Sequence, residues 1–156
     1  MSFMNEYLEQ FNQLLPLAVE WAEKQEDIIL GQGIPLNKDL GTIAAKIGVV
    51  HVEKVRTLLV SKIPLPDNPI LKEACQRTQL ISPWTVGLTL NHGIFIRGDC
   101  ASNRKLYFHE LAHVFQYEKL GGILQFLKQY LYECITIGYP QAPMEQEAIR
   151  VASLYS

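Results

Sequence analysis

The chain is short of three things: cysteine, positive charge and long apolar runs. Its 156 residues include only Cys75, Cys100 and Cys134, an odd number without a CxxC pair. This argues against a disulfide framework and is typical of reduced thiols in a cytoplasmic protein. The formal net charge is -2, so the strongly basic face of a nucleic-acid-binding protein is not expected. No run of about 18 apolar residues is present, which excludes a predicted transmembrane helix.

Repeats, linkers and low-complexity segments are also lacking. The first ten residues contain no basic stretch followed by an apolar run, so we expect no signal peptide. Apolar material is ample, because hydrophobic residues make up 48% of the chain and charged residues 19%. A chain of this length buries about 70% of its unfolded surface. We therefore expect one domain over residues 1–156, located in the cytoplasm, without a nucleic-acid or membrane partner.

Hydrophobic periodicity predicts helices in the first half of the chain. A helix over residues 5–30 is indicated by apolar residues at three- and four-residue spacing: Leu8, Phe11, Leu15, Val19 and Ala22. Pro16 should kink this helix or begin a new one. Asn37 and Gly48 are the expected caps of a second helix over residues 38–47. A third, short helix should begin at Asn68-Pro69 and end near residue 78.

A small sheet is predicted between these helices and those that follow. Residues 55–61 are rich in strand formers, and two further strand-like runs cover residues 85–90 and 93–97. The turn signal Asn91-His92-Gly93 joins the latter two. Three helices are then expected over residues 105–120, over 123–137 and from 143 onward. This order of elements predicts an α+β fold.

The most informative segment is His109-Glu110-Leu111-Ala112-His113, on the helix predicted over residues 105–120. Residues four apart lie on one face of a helix, so the two imidazoles can bind one Zn²⁺ together. The adjacent carboxylate of Glu110 can act on a water molecule at that ion. A catalytic zinc site usually has three protein ligands and one open position. The third ligand must therefore come from elsewhere in the chain.

The motif continues as His-Glu-Leu-Ala-His-Val-Phe-Gln and is followed downstream by Pro-Met-Glu-Gln-Glu-Ala. This combination resembles the gluzincin type of zinc metalloprotease, and is most similar to small bacterial metalloprotease-like domains with a HELxHVxQ … PxExEA pattern. The resemblance covers about residues 84–150. Residues 1–80, a helical part with the first strand, lie outside it. The resemblance implies a zincin-like α+β fold, in which an edge strand of a small sheet precedes the active-site helix and additional helices lie at both ends.

The same resemblance implies roles for individual residues. His109 and His113 would be zinc ligands, and Glu110 would be the general base. The third ligand would be Glu145, on a later helix. Glu147 is the alternative, but the two carboxylates are about 200° apart on a helix, so only one of them can face the metal.

Two further positions bear on the predicted site. The related domains often carry Asp four residues after the ligand Glu, where it orients a histidine, but this chain has Ile149 there. The loss of such a partner typically costs about 10–100-fold in metal affinity or activity. Gln116 lies on roughly the same helix face as His109, where it either touches the site or makes a core hydrogen bond.

The predicted function is that of a zinc-dependent peptidase acting on a peptide or protein substrate. Glu110 would take a proton from a zinc-activated water molecule and pass it to the leaving amine. The strand over residues 93–97 would form the cleft rim, with an exposed edge that pairs with the substrate backbone. The alternative is a zinc-binding interaction domain without catalysis. The substrate, the oligomeric state and the oxyanion donor stay open, the candidate donors being His92, Tyr130, Tyr132 and Tyr139.

Overall fold

The structure, a computed structural model, describes residues 3–156, with side chains from residue 9 onward. Within this range the chain has a mixed α+β fold of six α-helices and one four-stranded sheet. The helices are α1 (Phe3–Gln32), α2 (Lys38–Ile47), α3 (Pro69–Arg77), α4 (Arg104–Leu120), α5 (Ile123–Thr136) and α6 (Pro143–Tyr155). The strands are β1 (Ile34–Pro35), β2 (Arg56–Val60), β3 (Gly87–Leu90) and β4 (Gly93–Arg97). None of the described helices is both long and apolar enough to cross a membrane.

The predicted helices are all present, with ends that differ by a residue or two. Helix α1 continues through Pro16, so no new helix begins there. Its apolar stripe faces the interior: Phe11 and Ala22 are buried, and Leu15 and Val19 are half-buried. Leu8, the first member of that stripe, lies outside the residues whose side chains are described. The two-residue strand β1 was not predicted, because it is too short to show a hydrophobic pattern.

The predicted helix caps are confirmed. Asn37 accepts a hydrogen bond from the backbone N–H of Leu40 at 2.8 Å and begins α2. Gly48 ends that helix with a φ of 120°, a conformation that side-chain-bearing residues rarely adopt. A Cβ at Gly48 would also lie 2.8 Å from the ring of Phe115. Asn68 accepts from the first N–H groups of α3 in the same way.

Strand β4 lies in the interior of the sheet, whose strand order is β1-β2-β4-β3. It pairs with β2 in parallel and with β3 in antiparallel orientation. Ile94 and Ile96 face a core shared with α2 and α4, and Phe95 faces the opposite core, shared with α1 and α5. A strand buried on both faces reads as a continuous apolar run, as residues 93–96 do.

The prediction of a free edge at residues 93–97 was therefore wrong. Both edges of β4 are hydrogen-bonded to neighbouring strands. The β3–β4 hairpin places the preceding strand, β3, at the outside of the sheet. The free edge beside α4 is that of β3.

Two capping interactions fix the helices that carry the motif residues. Asn103 begins α4 by accepting a hydrogen bond from Leu106 N–H at 3.2 Å. Glu133, buried on α5, accepts from Met144 N–H at 2.9 Å and so caps the first turn of α6. A carboxylate at a helix N-terminus is favoured by the helix dipole. Helix α6 packs extensively against α4 and is held at its start by α5.

Candidate metal centre

Three side chains from α4 and α6 converge on one point. His109 and His113 lie one turn apart on α4, with ring centroids separated by 5.0 Å. In the first turn of α6, Glu145 places Oε1 2.7 Å from Nε2 of His109 and Oε2 3.1 Å from Nε2 of His113. One ligand atom from each residue lies within 4.8 Å of the other two. Zinc binds imidazole nitrogen and carboxylate oxygen at about 2.0–2.2 Å, so one ion can be shared by three atoms spaced in this way.

Glu147, the alternative third ligand, points to a different partner. Its Oε1 accepts a hydrogen bond at 3.0 Å from the side-chain amide of Gln116. That amide also donates to the carbonyl oxygen of Met144 at 2.9 Å. The structure thus brings Glu145 to the two histidines and places Glu147 behind them.

Gln116 fixes the proton on one of the two imidazoles. Because its amide protons are used by Glu147 and Met144, its Oε1 faces Nδ1 of His113, at 2.8 Å. Oε1 can only accept, so Nδ1 of His113 is the donor. Nε2, on the side of Glu145, is then the nitrogen available to a metal ion. Hydrogen bonding of this kind sets the orientation of metal-ligating histidines.

Glu145 is held as an anion. Burial raises its pKa, but hydrogen bonds and charge attraction from His109 and His113 outweigh burial and hold the pKa well below its usual range. The hydroxyl of Tyr130 donates to Oε2 at 2.7 Å. Burial, together with the charge of Glu145, raises the pKa of Tyr130 well above its ordinary value. The tyrosine is therefore a neutral donor beside a charged ligand.

The pKa of His113 is raised by the same pairing with Glu145 that lowers the pKa of that carboxyl group. Burial lowers its pKa, but the hydrogen bond and charge of Glu145, together with the charge of Glu110, raise the pKa to about 9. At neutral pH the imidazole is protonated when no metal is bound. A metal ion must displace that proton, because only the neutral imidazole is a ligand.

Glu110 is buried against β3. Its Oε1 accepts a hydrogen bond from the hydroxyl of Thr89 at 2.8 Å. Thr89 is itself held by Tyr117, whose hydroxyl donates to its carbonyl oxygen at 3.0 Å. A Cβ at Gly87 would lie 3.1 Å from Oε2 of Glu110, so glycine allows the carboxylate to lie against the strand. Oε1 is thereby occupied, and Oε2 is the oxygen left for a substrate or water molecule.

The four candidate oxyanion donors lie in different places. Tyr130 is bound to Glu145, and Tyr132 packs edge-on against Phe11 at 6.0 Å. His92 is hydrogen-bonded to Glu118. Tyr139 lines the same cleft as His109 and Glu145, and is 36% exposed. Burial and the nearby carboxylates raise its pKa, so its hydroxyl carries a proton that it can donate.

A second group of histidine and glutamate residues, the Glu118 cluster, lies on the opposite face of α4. It consists of Glu118, His92 and the loop residues Val50 and His51. Glu118 accepts from the backbone N–H groups of Val50 and His51 at 2.7 and 2.9 Å, and its Oε2 lies 2.9 Å from Nε2 of His92. Burial raises the pKa of Glu118, but these hydrogen bonds outweigh burial and lower it. The cluster ties α4 to the loop after α2 and to the β3–β4 turn.

An outer cleft of about 550 Å³ opens beside the metal centre. Trp84 and Tyr139 contribute to its walls, together with Gly87 on the edge strand. Ile149 lies one turn after Glu145 on α6, at the wall of this cleft, and is 39% exposed. Among the described residues, Nδ1 of His109 has no hydrogen-bond partner. The position at which an Asp was expected from the resemblance is thus occupied by a partly exposed isoleucine.

Comparison with models of protein families, with characterised proteins and with solved structures finds no match. The resemblance to gluzincins therefore stays a prediction, and the assignment of roles depends on the geometry of the site. Sequence reasoning did not identify Thr89 as the partner of Glu110, because no spacing rule links a strand residue to a helix 21 positions later. It left the position of Gln116 open, although its i, i+3 spacing from His113 was a usable signal.

Proposed function

We propose that this protein is a zinc-dependent peptidase of the gluzincin type. His109, His113 and Glu145 bind the metal, and Glu110 is the general base. The observation that carries the proposal is the convergence of three ligand atoms beside a buried carboxylate, at the wall of an open cleft. Two imidazoles and one carboxylate are the donor set of many catalytic zinc sites. A ligand set of this kind also supports the proposal that the fold is zincin-like.

The chemistry divides between the metal and the chain. When bound, zinc lowers the pKa of a water molecule to about 7 and polarises a carbonyl group. Glu110 accepts a proton from the attacking water through Oε2 and delivers it to the nitrogen of the leaving amine. Thr89 keeps Oε1 in place while this proton moves. Tyr139 donates its hydroxyl proton in a hydrogen bond to the tetrahedral oxyanion.

The substrate is a peptide segment in extended conformation. The free edge of β3 offers unpaired backbone groups to it, and such pairing is a common mode of peptide recognition. Gly87 on this strand lies against Glu110, so a paired backbone passes next to the general base. Pairing with the substrate backbone, which was predicted for residues 93–97, is therefore proposed for β3.

The test is the substitution Glu110→Gln. General base catalysis contributes about 100- to 10,000-fold, so chelator-sensitive hydrolysis of casein or a peptide library should fall by that factor. Elemental analysis should show unchanged zinc, because Glu110 is not a ligand. Glu118→Gln is the matched control, since it changes the same side chain on the other face of α4. Retention of hydrolysis by Glu110→Gln, with normal zinc content, would refute the mechanism.

The second candidate is a zinc-binding interaction domain without catalytic activity. It is favoured by one observation, the absence of a partner for Nδ1 of His109 within the described chain, where Ile149 replaces the expected Asp. In this case the protein would contain zinc but cleave no substrate in a chelator-sensitive way. The same digestion assay distinguishes the two functions.

A further inference from the structure

A second, inner cavity lies behind the candidate metal centre, and the N-terminal part of the chain forms one side of its wall. Its volume is about 110 Å³. Helix α1 contributes Trp21 and Ala22 to the wall, and α3 contributes Leu71. The inner cavity meets the outer cleft at residues that line both: Thr85, Gly87, His109, Glu110, Tyr139 and Glu145. The two cavities therefore share a wall, and a substrate group lying beside Gly87 and Glu110 is next to the inner cavity.

The hydroxyl groups of Thr89, Tyr117 and Tyr130, which line the inner cavity but not the outer cleft, are already hydrogen-bonded. The hydroxyl of Tyr130 is bound to Glu145, that of Thr89 to Glu110, and that of Tyr117 to a backbone carbonyl. Across the described residues, every buried side-chain nitrogen and oxygen atom has a partner. A polar group placed here would give up its hydrogen bonds to water without replacing them. An apolar group would lose no hydrogen bonds and would cover the apolar side chains that line the cavity.

We infer that the inner cavity is a specificity pocket for one large apolar side chain of the substrate, of the size of Leu or Met. This inference rests on the proposed peptidase function. An apolar cavity of about 150 Å³ binds benzene, so the inner cavity is of the right size for a leucine side chain. Successive side chains of an extended peptide point to opposite faces. A peptide paired with β3 thus directs one side chain inward where the two cavities meet, next to Glu110.

The pocket gives a role to the part of the chain outside the gluzincin resemblance. Trp21, Ala22 and Leu71 belong to residues 1–80, whereas the proposed zinc ligands and general base come from α4 and α6. The N-terminal part of the chain thus contributes to selection of the side chain, together with residues of β3 and α5.

Tryptophan emission offers a readout independent of hydrolysis. The chain has two tryptophans, of which Trp21 lines the inner cavity and Trp84 the outer cleft. In the variant Trp84→Phe, emission reports on Trp21 alone. The probes are two blocked pentapeptides, acetyl-Ala-Ala-X-Ala-Ala-amide, with X either Leu or the similarly sized Asn. They are titrated into the full-length, zinc-loaded protein that also carries Glu110→Gln, so that they stay intact.

The Leu peptide should bind about 10- to 100-fold more tightly than the Asn peptide, as expected for burial of one leucine side chain. Its binding should change the emission of Trp21. The substitution Ala22→Leu should fill the pocket and weaken binding of the Leu peptide at least about 10-fold, with zinc affinity unchanged. If that variant does not fold, the comparison of the two peptides and the Trp21 signal still decide the matter.

Equal affinity of the two peptides overturns the pocket, as does binding of the Leu peptide without a change in Trp21 emission. Hydrolysis of the same peptides by the chain with Glu110 intact is scored separately. A preference for Leu without hydrolysis supports the pocket and rejects the peptidase. Hydrolysis at equal rates for Leu and Asn supports the peptidase and rejects the pocket.

Discussion

The metal centre and the Glu118 cluster use the same residue types on opposite faces of one helix. Each places a glutamate oxygen within about 3 Å of an imidazole Nε2: 2.7 Å for Glu145 with His109, and 2.9 Å for Glu118 with His92. Glu118 is nine residues after His109, which at about 100° per residue places it on the opposite face of α4. Neither the distances nor the residue types distinguish the two groups.

The remaining contacts of each carboxylate make the difference. Glu118 is bound by two backbone N–H groups, which would lose this partner if the carboxylate turned to a metal ion. Glu145 is bound by two imidazoles and one tyrosine hydroxyl, all from side chains. Imidazole nitrogens can exchange a proton for a metal ion, and backbone N–H groups cannot. Backbone partners thus mark a structural carboxylate, and convergent imidazoles mark a candidate ligand.

The largest effect is expected from Glu145→Gln. It removes the anionic ligand, and its cost should exceed the 10–100-fold typical of an outer partner. We expect zinc affinity to fall by about 1,000-fold or more, measured by competition with a chromogenic chelator. Glu147→Gln is the control on the same helix and should retain more of the affinity. An equal loss in both variants would contradict the assignment of the third ligand.

The second-largest difference between the two clusters is expected in the pH dependence of stability. The raised pKa of His113, about 9 against about 6.5 in the unfolded chain, stabilises the metal-free fold fully below pH 6.5. That contribution is lost as the pH rises through 9, by at most about 3 kcal/mol. Urea unfolding of chelator-treated protein between pH 6.5 and 9.5 measures this loss. The lowered pKa of Glu118 gives stability that is lost as the pH falls, and Glu145 shares this effect, so only the alkaline loss separates the two clusters.

Bound zinc should remove this alkaline loss, because the metal ion then occupies the place of the proton on His113. The same urea series on zinc-loaded protein is the control. A metal-free protein as stable at pH 9.5 as at pH 6.5 would show that His113 carries no excess proton.

The substitution Glu118→Gln should cost stability and leave zinc affinity unchanged. Val50 N–H and His51 N–H bind different oxygens of Glu118, and an amide keeps only one of these oxygens as an acceptor. The contact of Oε2 with Nε2 of His92 is changed as well. We expect the free energy of unfolding to fall by about 1–3 kcal/mol. Urea unfolding measures the loss, and zinc titration of the same variant checks the site. A change in zinc affinity above about threefold would mean that the two faces of α4 are coupled.

The smallest effect is expected from Ile149→Asp, which gives the metal centre an extra carboxylate. Ile149 is exposed at the cleft, so a charge there has access to water and costs little. A carboxylate that accepts from Nδ1 of His109 should raise zinc affinity up to about 10-fold. Ile149→Asn, without the charge, is the matched variant and should gain less. A decrease in affinity would show that this position does not orient the histidine.

Local patterns predicted most of the elements of this fold. The caps at Asn37 and Asn68, the helix over residues 105–120 and the turn after residue 90 all depend on short-range rules, and all are present. The order of strands does not depend on such rules. The turn after residue 90 predicts a hairpin but does not show which of its two strands lies at the edge of the sheet. The interior position of residues 93–97 depends on their packing between two cores.

The candidate site divides in the same way. His109, Glu110 and His113 are linked by helical spacing, which the sequence shows directly. The partners that orient them lie on other elements: Thr89 on β3 and Tyr130 on α5. These contacts exist only after the chain has folded, and a single sequence contains no pattern that reveals them.

The position of Glu145 on α6 has a consequence for the order of events during synthesis. The ribosome makes the chain from its N-terminus, so α4, with both histidines, is complete before the third ligand has been added. Until α6 emerges and is capped by Glu133, a nascent chain has both imidazoles but lacks the carboxylate of Glu145. For the proposed zinc site, all three ligands are present only once the last of the described helices has been synthesised.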